Sequence, residues 1–371
     1  MKTFKKLLLL LVILAFFHEL QAQDPLYSQW TANPTYYNPA YVGISNGMRA
    51  RFNYRQQWVK LPQDFRSFNF NVDAAARDIP GSGGLGLMVE SDNEGEGYIK
   101  RTVVGATAAV RIPIHHNMIT QFGILASFVQ KRVDWNRFVF TDQLDERYGN
   151  IYPSSFKHPS DDRVTYPDFG AGGTFRFVES TFKHTEVVGT MGIAVHHLFS
   201  PNETFLQQSS PLPRKLVVTG DFIIQDEINR GPNKAFQMQE GGFKFNPGII
   251  YQYQGGMQSY SAGINVYKHP IYVGLWYRND DFEFMGHDML ILTVGLNTIF
   301  NDNSRMKIFY SYDAMLSDVT KATGGSHEIV LVFELDELHL FNPGSRRMFQ
   351  VGNYTNGRNK NMPSALECSP F

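Results

Sequence analysis

The chain has 371 residues, a formal net charge of −1 at pH 7 and a single cysteine, Cys368. The balanced charge excludes the large basic surface with which proteins bind nucleic acid, so no nucleic-acid partner is expected. One cysteine cannot form an internal disulfide, which excludes a disulfide-stapled secreted domain. Aromatic residues make up 14% of the chain and 32 residues are glycine, as is typical of strand-rich chains with tight turns.

Residues 1–22 have the layout of a secretory signal peptide. Three lysines precede an apolar run from Leu7 to Phe17, and a short polar segment then ends at Ala22. The apolar run is shorter than the roughly 18 to 20 residues that span a membrane as a helix, and no other stretch of the sequence approaches that length. The sequence therefore predicts export, with cleavage after Ala22.

Residues 23–47 form a segment that is rich in proline and tyrosine. It contains two Asn-Pro pairs, Asn33-Pro34 and Asn38-Pro39, and four tyrosines. Proline lacks a backbone donor and fixes φ, so this composition argues against a regular helix or a central strand. We expect an ordered, extended lead-in that packs within or beneath the strands that follow.

From residue 48 to residue 335, apolar and polar side chains alternate in run after run, which is the period of a β-strand. A chain of alternating strands that ends on a strand can pair its two edges, and residues 326–335 are the candidate for that closing strand. The runs lie at about 48–55, 67–74, 85–89, 99–112, 118–131, 168–177, 187–198, 215–225, 244–254, 259–267, 271–278, 288–300, 306–313 and 326–335. We predict an all-β fold, an antiparallel outer-membrane β-barrel of about 14 strands.

The connections between these runs alternate in length. With both termini in the periplasm, the outer loops include the long connections 132–167, 199–214 and 314–325. The inner turns are short, as barrels of this class prefer, except for the connection 226–243. Residues 336–371 lack the alternation, and we expect them to form a periplasmic C-terminal tail that is free to dock on a partner.

Short motifs are spread over the whole mature chain in a fixed order. They are Gln23–Trp30 with Asn33-Pro34, Asn38–Gly43, Tyr54–Trp58, Gly83–Leu87, Tyr310–Asp313, Gly325–Ile329, and the terminal Cys368, Pro370 and Phe371. Together they resemble the PorP/SprF-like outer-membrane proteins of the type IX secretion system and gliding machinery of Bacteroidetes. The family often ends Cys-Pro-x-Phe, whereas here Ser369 separates Cys368 from Pro370.

The resemblance implies a non-enzymatic barrel in outer-membrane lipid that assists the export or surface anchoring of a large adhesin-type cargo. It also implies contact with periplasmic and outer-membrane components of the secretion and motility machinery, and no cofactor. The candidate partner-binding or structural residues that the motifs supply are Tyr27, Gln29, Asn33, Pro34, Asn38, Pro39, Ser326, His327, Glu328, Cys368 and Phe371.

Arg51 joins these candidates because of its charge. With Arg49 and Arg55 it lies on the polar face of the first strand, and an arginine that faces lipid at the membrane midplane costs about 2–4 kcal/mol. We therefore expect these arginines to face the lumen, pair with Asp73 and neighbouring acids or with the tyrosine-rich lead-in, and help to plug the barrel.

Other motifs point to chemistry that the sequence does not complete. His327-Glu328 lacks the second histidine of a zinc protease, because position 331 is Leu331, and the glycines at 81, 83 and 86 precede a strand rather than the helix of a dinucleotide site. Residues 92–97 lack the full calcium loop, and the pairs His115-His116 and His196-His197 are expected to point to opposite faces of their strands.

Two alternatives to a docking barrel stay open at this point. The first is a barrel that passively transports a small solute or lipid, and the second is an outer-membrane hydrolase. A hydrolase would need a serine, a histidine and a carboxylate or amide at one strand rim, and no spacing in the sequence singles out a nucleophile.

Overall fold

Fourteen antiparallel strands in the described part of the chain close into one barrel. The computed structural model describes residues 24–45, 47–61, 65–76, 81–95, 99–157, 159, 162–181, 185–205, 209–226, 242–280, 288–301, 304–316, 323–335, 354–355 and 358–359. The barrel strands are β1 Met48–Gln57, β2 Phe65–Ala75, β3 Ser82–Glu94, β4 Ile99–His115, β5 Met118–Val133, β6 Arg163–Thr181, β7 Thr185–His196, β8 Lys215–Asp226, β9 Lys244–Gln254, β10 Met257–Lys268, β11 Ile271–Asn279, β12 Asp288–Asn301, β13 Ser304–Met315 and β14 Ser326–Leu335.

Each strand pairs with its neighbours in the sequence, and β14 pairs with β1 to close the ring. Met48 lies opposite Leu335 and Gln57 lies opposite Ser326, so the two edge strands match over their full length. The predicted barrel, its strand number and its closing strand are confirmed. No helix in the described ranges is long and apolar enough to cross a membrane.

The alternation in the sequence separates an outer apolar surface from an inner polar one. In β14 the outward side chains of Ile329 and Phe333 are 41% and 46% exposed, whereas Glu328 and Glu334 are fully enclosed. Outward side chains of the other strands follow the same rule, as Phe128 of β5 and Leu296 of β12 show. This apolar belt is the surface that lipid would cover.

Some strands extend beyond their predicted ends because the alternation changes phase there. In the first residues of β6, Val164 and Tyr166 point inward while Arg163 and Thr165 point outward and are exposed. Tyr166 packs with Val103 and Val129 in a small apolar cluster inside the barrel. In the lipid belt the apolar side chains point outward, whereas here they point inward. The sequence pattern therefore did not identify these residues as part of a strand.

The two ends of the barrel differ, and we name each one after the chain segments that lie there. The terminal end is where β1 begins and β14 ends, and the loop end is opposite. Connections 134–162 and 197–214 lie at the loop end, and the tight turns 116–117 and 269–270 lie at the terminal end. The long connection 226–243 is at the terminal end, but its residues 227–241 lie outside the described ones. So does the tail 336–371, apart from a pairing of Tyr354-Thr355 with Arg358-Asn359.

Residues 24–45, which we call the plug, lie inside the barrel and are almost entirely buried. The sequence predicted an extended segment, but two short helical turns interrupt it. A one-turn helix, α1, covers Pro34–Tyr37, and a 3-10 turn covers Pro39–Tyr41. Both prolines stand at the start of a turn, where a missing N–H is no loss, and the Asn38 side chain caps the second turn by accepting from the Ala40 N–H.

Candidate functional site: the plugged lumen

Side chains of the barrel wall bind the backbone of the plug. The Glu328 carboxylate accepts from the N–H groups of Ser28 at 2.6 Å and Gln29 at 3.2 Å. Arg278 of β11, three strands from β14 in the ring, donates from Nη2 to the carbonyl of Tyr27 at 2.8 Å. Because a buried backbone group without a partner is costly, wall residues placed in this way fix the path of an irregular segment.

Arg55 joins the last two strands to the same part of the plug. Its guanidinium lies 2.7 Å from Asp313 of β13 and 3.3 Å from Glu328 of β14, and all three side chains are enclosed. Ser28 Oγ donates to Asp313 at 2.6 Å. The seam between β1 and β14 therefore shares its buried charges with the plug, and breaking such a network costs more than the loss of a surface ion pair.

A second set of wall contacts holds the plug near the terminal end. Gly43 donates its N–H to Asp73 Oδ2 at 2.8 Å, and Gln121 Nε2 donates to the carbonyl of Val42 at 2.6 Å. Arg51 forms an ion pair with the other oxygen of Asp73 and also donates to Asn71 Oδ1. Asp73 thus joins an arginine of β1 to the backbone of the plug.

Asparagine amides fill the region between these two sets. Asn33 Nδ2 donates to Asn53 and Asn69 at 3.2 and 3.0 Å, while Asn71 Nδ2 donates to Asn33 Oδ1 at 2.6 Å. An amide carries two donors and one two-lone-pair acceptor, so one Asn33 side chain can bridge two strands at once. This explains why a polar residue is tolerated where its side chain is only 1% exposed.

Glycines in the wall admit the second Asn-Pro pair. A Cβ on Gly123 would stand 2.5 Å from backbone atoms of Pro39 and Ala40, and a Cβ on Gly172 would stand 2.1 Å from Asn38 Oδ1. The two glycines face each other across β5 and β6. Asn38 Nδ2 donates to the carbonyls of Gly173 and Ile193 at 3.1 and 3.2 Å. The wall therefore has a flat patch shaped to the plug backbone.

A buried charge cluster lies at the loop end of the lumen. His197 Nε2 contacts Asp24 and its Nδ1 contacts Asp168, each at 2.8 Å. Asp24 also pairs with Arg101 at 3.1 Å and lies 3.6 Å from the Lys215 ammonium. Burial alone would lower the pKa of His197, but the two carboxylates outweigh it and raise the pKa to about 9.

The same charge cluster lowers the pKa of Asp24. Burial alone would raise its pKa, yet the charges of His197, Arg101 and Lys215 hold the pKa of this carboxyl well below its usual range. Charged Asp24 and protonated His197 therefore stabilise each other. The start of the plug is tied to β4, to the end of β7 and to β8 by charge.

The structure brings most of the candidate residues together. Gln29 and Glu328 meet near the loop end, where the neighbouring Tyr27 carbonyl accepts from Arg278, and Asn33 and Arg51 meet on Asn71. Ser326 is buried, but His327 faces outward, where its Nδ1 lies 2.6 Å from the Tyr310 hydroxyl. Cys368 and Phe371 lie outside the described residues.

The expectation for the histidine pairs was wrong. His196 and His197 are both buried, because β7 ends at His196 and His197 adopts a φ of 56° that turns its ring back into the lumen. His196 Nε2 lies 2.9 Å from the carbonyl of Tyr37. The rings of His115 and His116 lie 4.1 Å apart at the end of β4. Alternation holds only inside a strand, and both pairs stand at a strand end.

Several residues of this site were not singled out in the sequence. Asp168, Arg278 and Gln121 each contact the plug or its anchor, yet each looks like an ordinary polar residue on an alternating strand. Asp24 was named only within a motif and His197 only as half of a histidine pair. The available signal was that inward positions carry charged residues and amides, which identifies a polar lumen. Which of them meet depends on the register around the ring and on the path of the plug.

In the part of the chain that the structure describes, two small cavities lie beside the plug at the loop end. One of about 80 Å³ is lined by Asp24, Leu26, Met257 and Asp280 among others, and one of about 30 Å³ borders Glu90, Arg101 and His197. A water molecule takes about 30 Å³ of liquid, so these spaces suit a few waters. Among the described residues, no three His, Cys, Asp or Glu side chains are arranged to hold a metal ion.

A closed barrel of alternating strands with an apolar outer belt, long loops at one end and a polar lumen defines an outer-membrane β-barrel protein. The model of the family described as "Type IX secretion system membrane protein PorP/SprF" matches residues 19–333. The chain belongs to the PorP/SprF family of type IX secretion system membrane proteins, and the resemblance found in the sequence is confirmed.

Solved outer-membrane barrels are similar to this chain in fold alone. The CymD monoaromatic hydrocarbon channel is 11% identical with a TM-score of 0.42, over 86% of this chain and 95% of its own. A Pseudomonas aeruginosa FadL homologue is 10% identical with a TM-score of 0.42, over 81% and 92%. The toluene transporter TodX of Pseudomonas putida is 8% identical with a TM-score of 0.35, over 85% and 95%. No curated protein matches the chain.

Proposed function

We propose that this protein is a plugged, non-enzymatic docking barrel of the type IX secretion system. In this role it assists the export or surface anchoring of a large adhesin-type cargo at its outer end and docks to periplasmic components of the machine. The observation that carries the proposal is the occupied lumen. A segment held by buried hydrogen bonds and ion pairs from strands all around the ring suits a scaffold better than a route for solutes.

The loop end offers a surface for such a partner. In the connection 134–157, Trp135 packs against Phe138 and Phe156 with ring centroids 5.8 and 6.0 Å apart. Around this aromatic core, Tyr148 is 70% exposed and Ile151 is 53% exposed. Aromatic side chains that protrude beyond the lipid belt are typical of surfaces that bind other proteins.

The deciding experiment is a gentle detergent pull-down from the native envelope, with the affinity tag in the Gly255-Gly256 turn so that the C-terminal tail stays intact. We expect stoichiometric recovery of a very large surface protein and of periplasmic machine components. A double variant, Tyr148→Ser with Ile151→Ser, should lose the surface protein and keep the periplasmic ones, because it changes only exposed side chains of one loop.

A different result would favour the rival function. Recovery of the barrel alone, together with measurable conductance of the purified wild-type protein in a planar bilayer, would overturn the docking proposal. Passive transport of a small solute or lipid would then be the preferred function. Turnover of lipid or peptide that is lost on replacing one serine or histidine would instead indicate a hydrolase.

A further inference from the structure

The plug runs through the lumen in a defined direction. Its first described residue, Asp24, contacts described groups that lie at the loop end: Arg101 near the start of β4, His197 just after β7, and Lys215 at the start of β8. The Asp24 N–H donates to Gln254 at the end of β9, at 3.2 Å. Three strands and the residue that follows a fourth therefore fix the beginning of the plug at this end of the barrel.

The other end of the plug lies at the opposite opening. Gly43 packs against Gly83 and Gly84 near the start of β3 and donates its N–H to Asp73 near the end of β2. From there the chain has only to reach Met48, where β1 begins at the terminal end. The plug thus crosses the whole height of the barrel, from the loop end to the terminal end.

The direction of the plug decides at which end of the barrel the preceding chain joins it. Asp24 lies at the loop end, so that is the end at which the chain joins the plug. The opening there is bordered by Leu26, Met257 and Asp280, which line the larger of the two cavities.

The lengths of the connections identify the loop end as the outer one. In bacterial outer-membrane barrels the extracellular loops are longer than the periplasmic turns. Two long connections, 134–162 and 197–214, lie at the loop end, together with the short turn 255–256. At the terminal end the connections 116–117, 182–184, 269–270 and 302–303 have two or three residues, and the connection 227–243 is the long exception.

We infer that the amino-terminal end of the mature protein is displayed on the outer face of the membrane, while the last barrel strand ends on the periplasmic face. This inference does not depend on the proposed role in secretion. It places Asn33 and Asn38 inside the lumen, out of reach of a periplasmic partner, and it makes the amino terminus a contact point for molecules at the cell surface.

The inference is tested by labelling a single cysteine in intact cells. A Gly-Ser-Cys-Gly-Ser insert is placed between Gln23 and Asp24 in a Cys368→Ser background, which leaves Gln23 next to the predicted cleavage site. Matched inserts stand between Glu146 and Arg147 at the loop end and between His116 and Asn117 at the terminal end. The probe is a charged maleimide that does not cross the outer membrane.

We expect the amino-terminal and 146–147 inserts to react in intact cells, and the 116–117 insert to react only after the outer membrane is permeabilised. If the amino-terminal insert behaves like the 116–117 insert, the inference is wrong. If an insert prevents assembly, as shown by loss of the heat-modifiable folded band on a gel, a biotin-acceptor peptide at the same three positions and external streptavidin replace it, with the same two outcomes.

Discussion

At the scale of single residues, the plug depends on a few buried charges that each serve two elements. Asp73 is the clearest, because one of its oxygens pairs with Arg51 of β1 while the other accepts from the Gly43 N–H of the plug. Removing one partner of a buried pair typically costs about 3–5 kcal/mol, since the other charge is left uncompensated.

Arg51→Ala should therefore loosen the plug at the terminal end. We expect the heat-modifiable folded band of this variant on a gel to be lost at a lower temperature than that of the wild type. We also expect its single-channel conductance in planar bilayers to rise. Arg51→Lys keeps the charge and serves as the matched control, with a smaller effect on both. A conductance for Arg51→Ala no greater than that of the wild type would remove the support for a role of Arg51 in plugging.

The loop-end anchor of the plug should depend on pH. The pKa of His197 is raised from an ordinary value of 6.5 to about 9, so its stabilising effect is complete below about pH 6.5 and disappears as the pH rises through 9. The pKa of Asp24 is lowered, so its effect is present above about pH 4 and is lost in stronger acid. The titratable and charged groups around this pair include Asp168, Arg101, Lys215, His196 and Glu90.

We expect the amide protons at the start of the plug, residues 26–29, to exchange slowly between about pH 4 and pH 6.5. After correction for the intrinsic pH dependence of exchange, protection should decline towards pH 9. His197→Gln keeps a hydrogen-bonding side chain without the titration and should flatten that decline. A wild-type profile that stays level from pH 6 to pH 9 would show that this contact does not hold the plug.

At the scale of elements, the plug and the wall fit because β5 and β6 carry glycine where the second Asn-Pro pair passes. Gly123→Ala would place a methyl group against backbone atoms of Pro39 and Ala40, which cannot rotate away as a side chain could. Overpacking of this kind typically costs about 1–3 kcal/mol.

Gly173→Ala is the matched control for Gly123→Ala, because its new methyl group would meet only the ring of Phe122 and a backbone oxygen, at 3.3 Å or more. We expect the Gly123 variant to unfold at a lower temperature and to expose the plug to added protease, and the Gly173 variant to behave like the wild type. Equal behaviour of the two variants would mean that the plug does not press on this part of the wall.

At the scale of the whole molecule, the barrel and the plug have separable roles. Deletion of residues 24–45 should leave fourteen strands whose register is set by their own backbone ladders, around a lumen lined with charges and amides. We expect this variant to conduct ions in a planar bilayer and the intact protein to be nearly silent. Conductance of the intact protein equal to that of the deletion variant would contradict the plugging function and favour a transporter.

The barrel could be predicted from the sequence because its signal is local and repeated. Lipid outside and polar atoms inside impose a period of two on every strand, so Ile329 and Glu328 already indicate which way each side chain points. The same rule placed Arg51 in the lumen with Asp73 as its partner. Where the period changes phase, as at Val164 and Tyr166, the strand end was missed.

The lumen contacts were decided by the tertiary structure alone. Whether Asp24 meets His197, 173 residues away, depends on how many strands close the ring and on the direction in which the plug enters it. The sequence by itself determined a barrel of alternating strands and the family to which it belongs, because those rest on local patterns and motifs. The filled lumen and the direction of the plug required the closed ring, because contacts across it join residues that no local pattern relates.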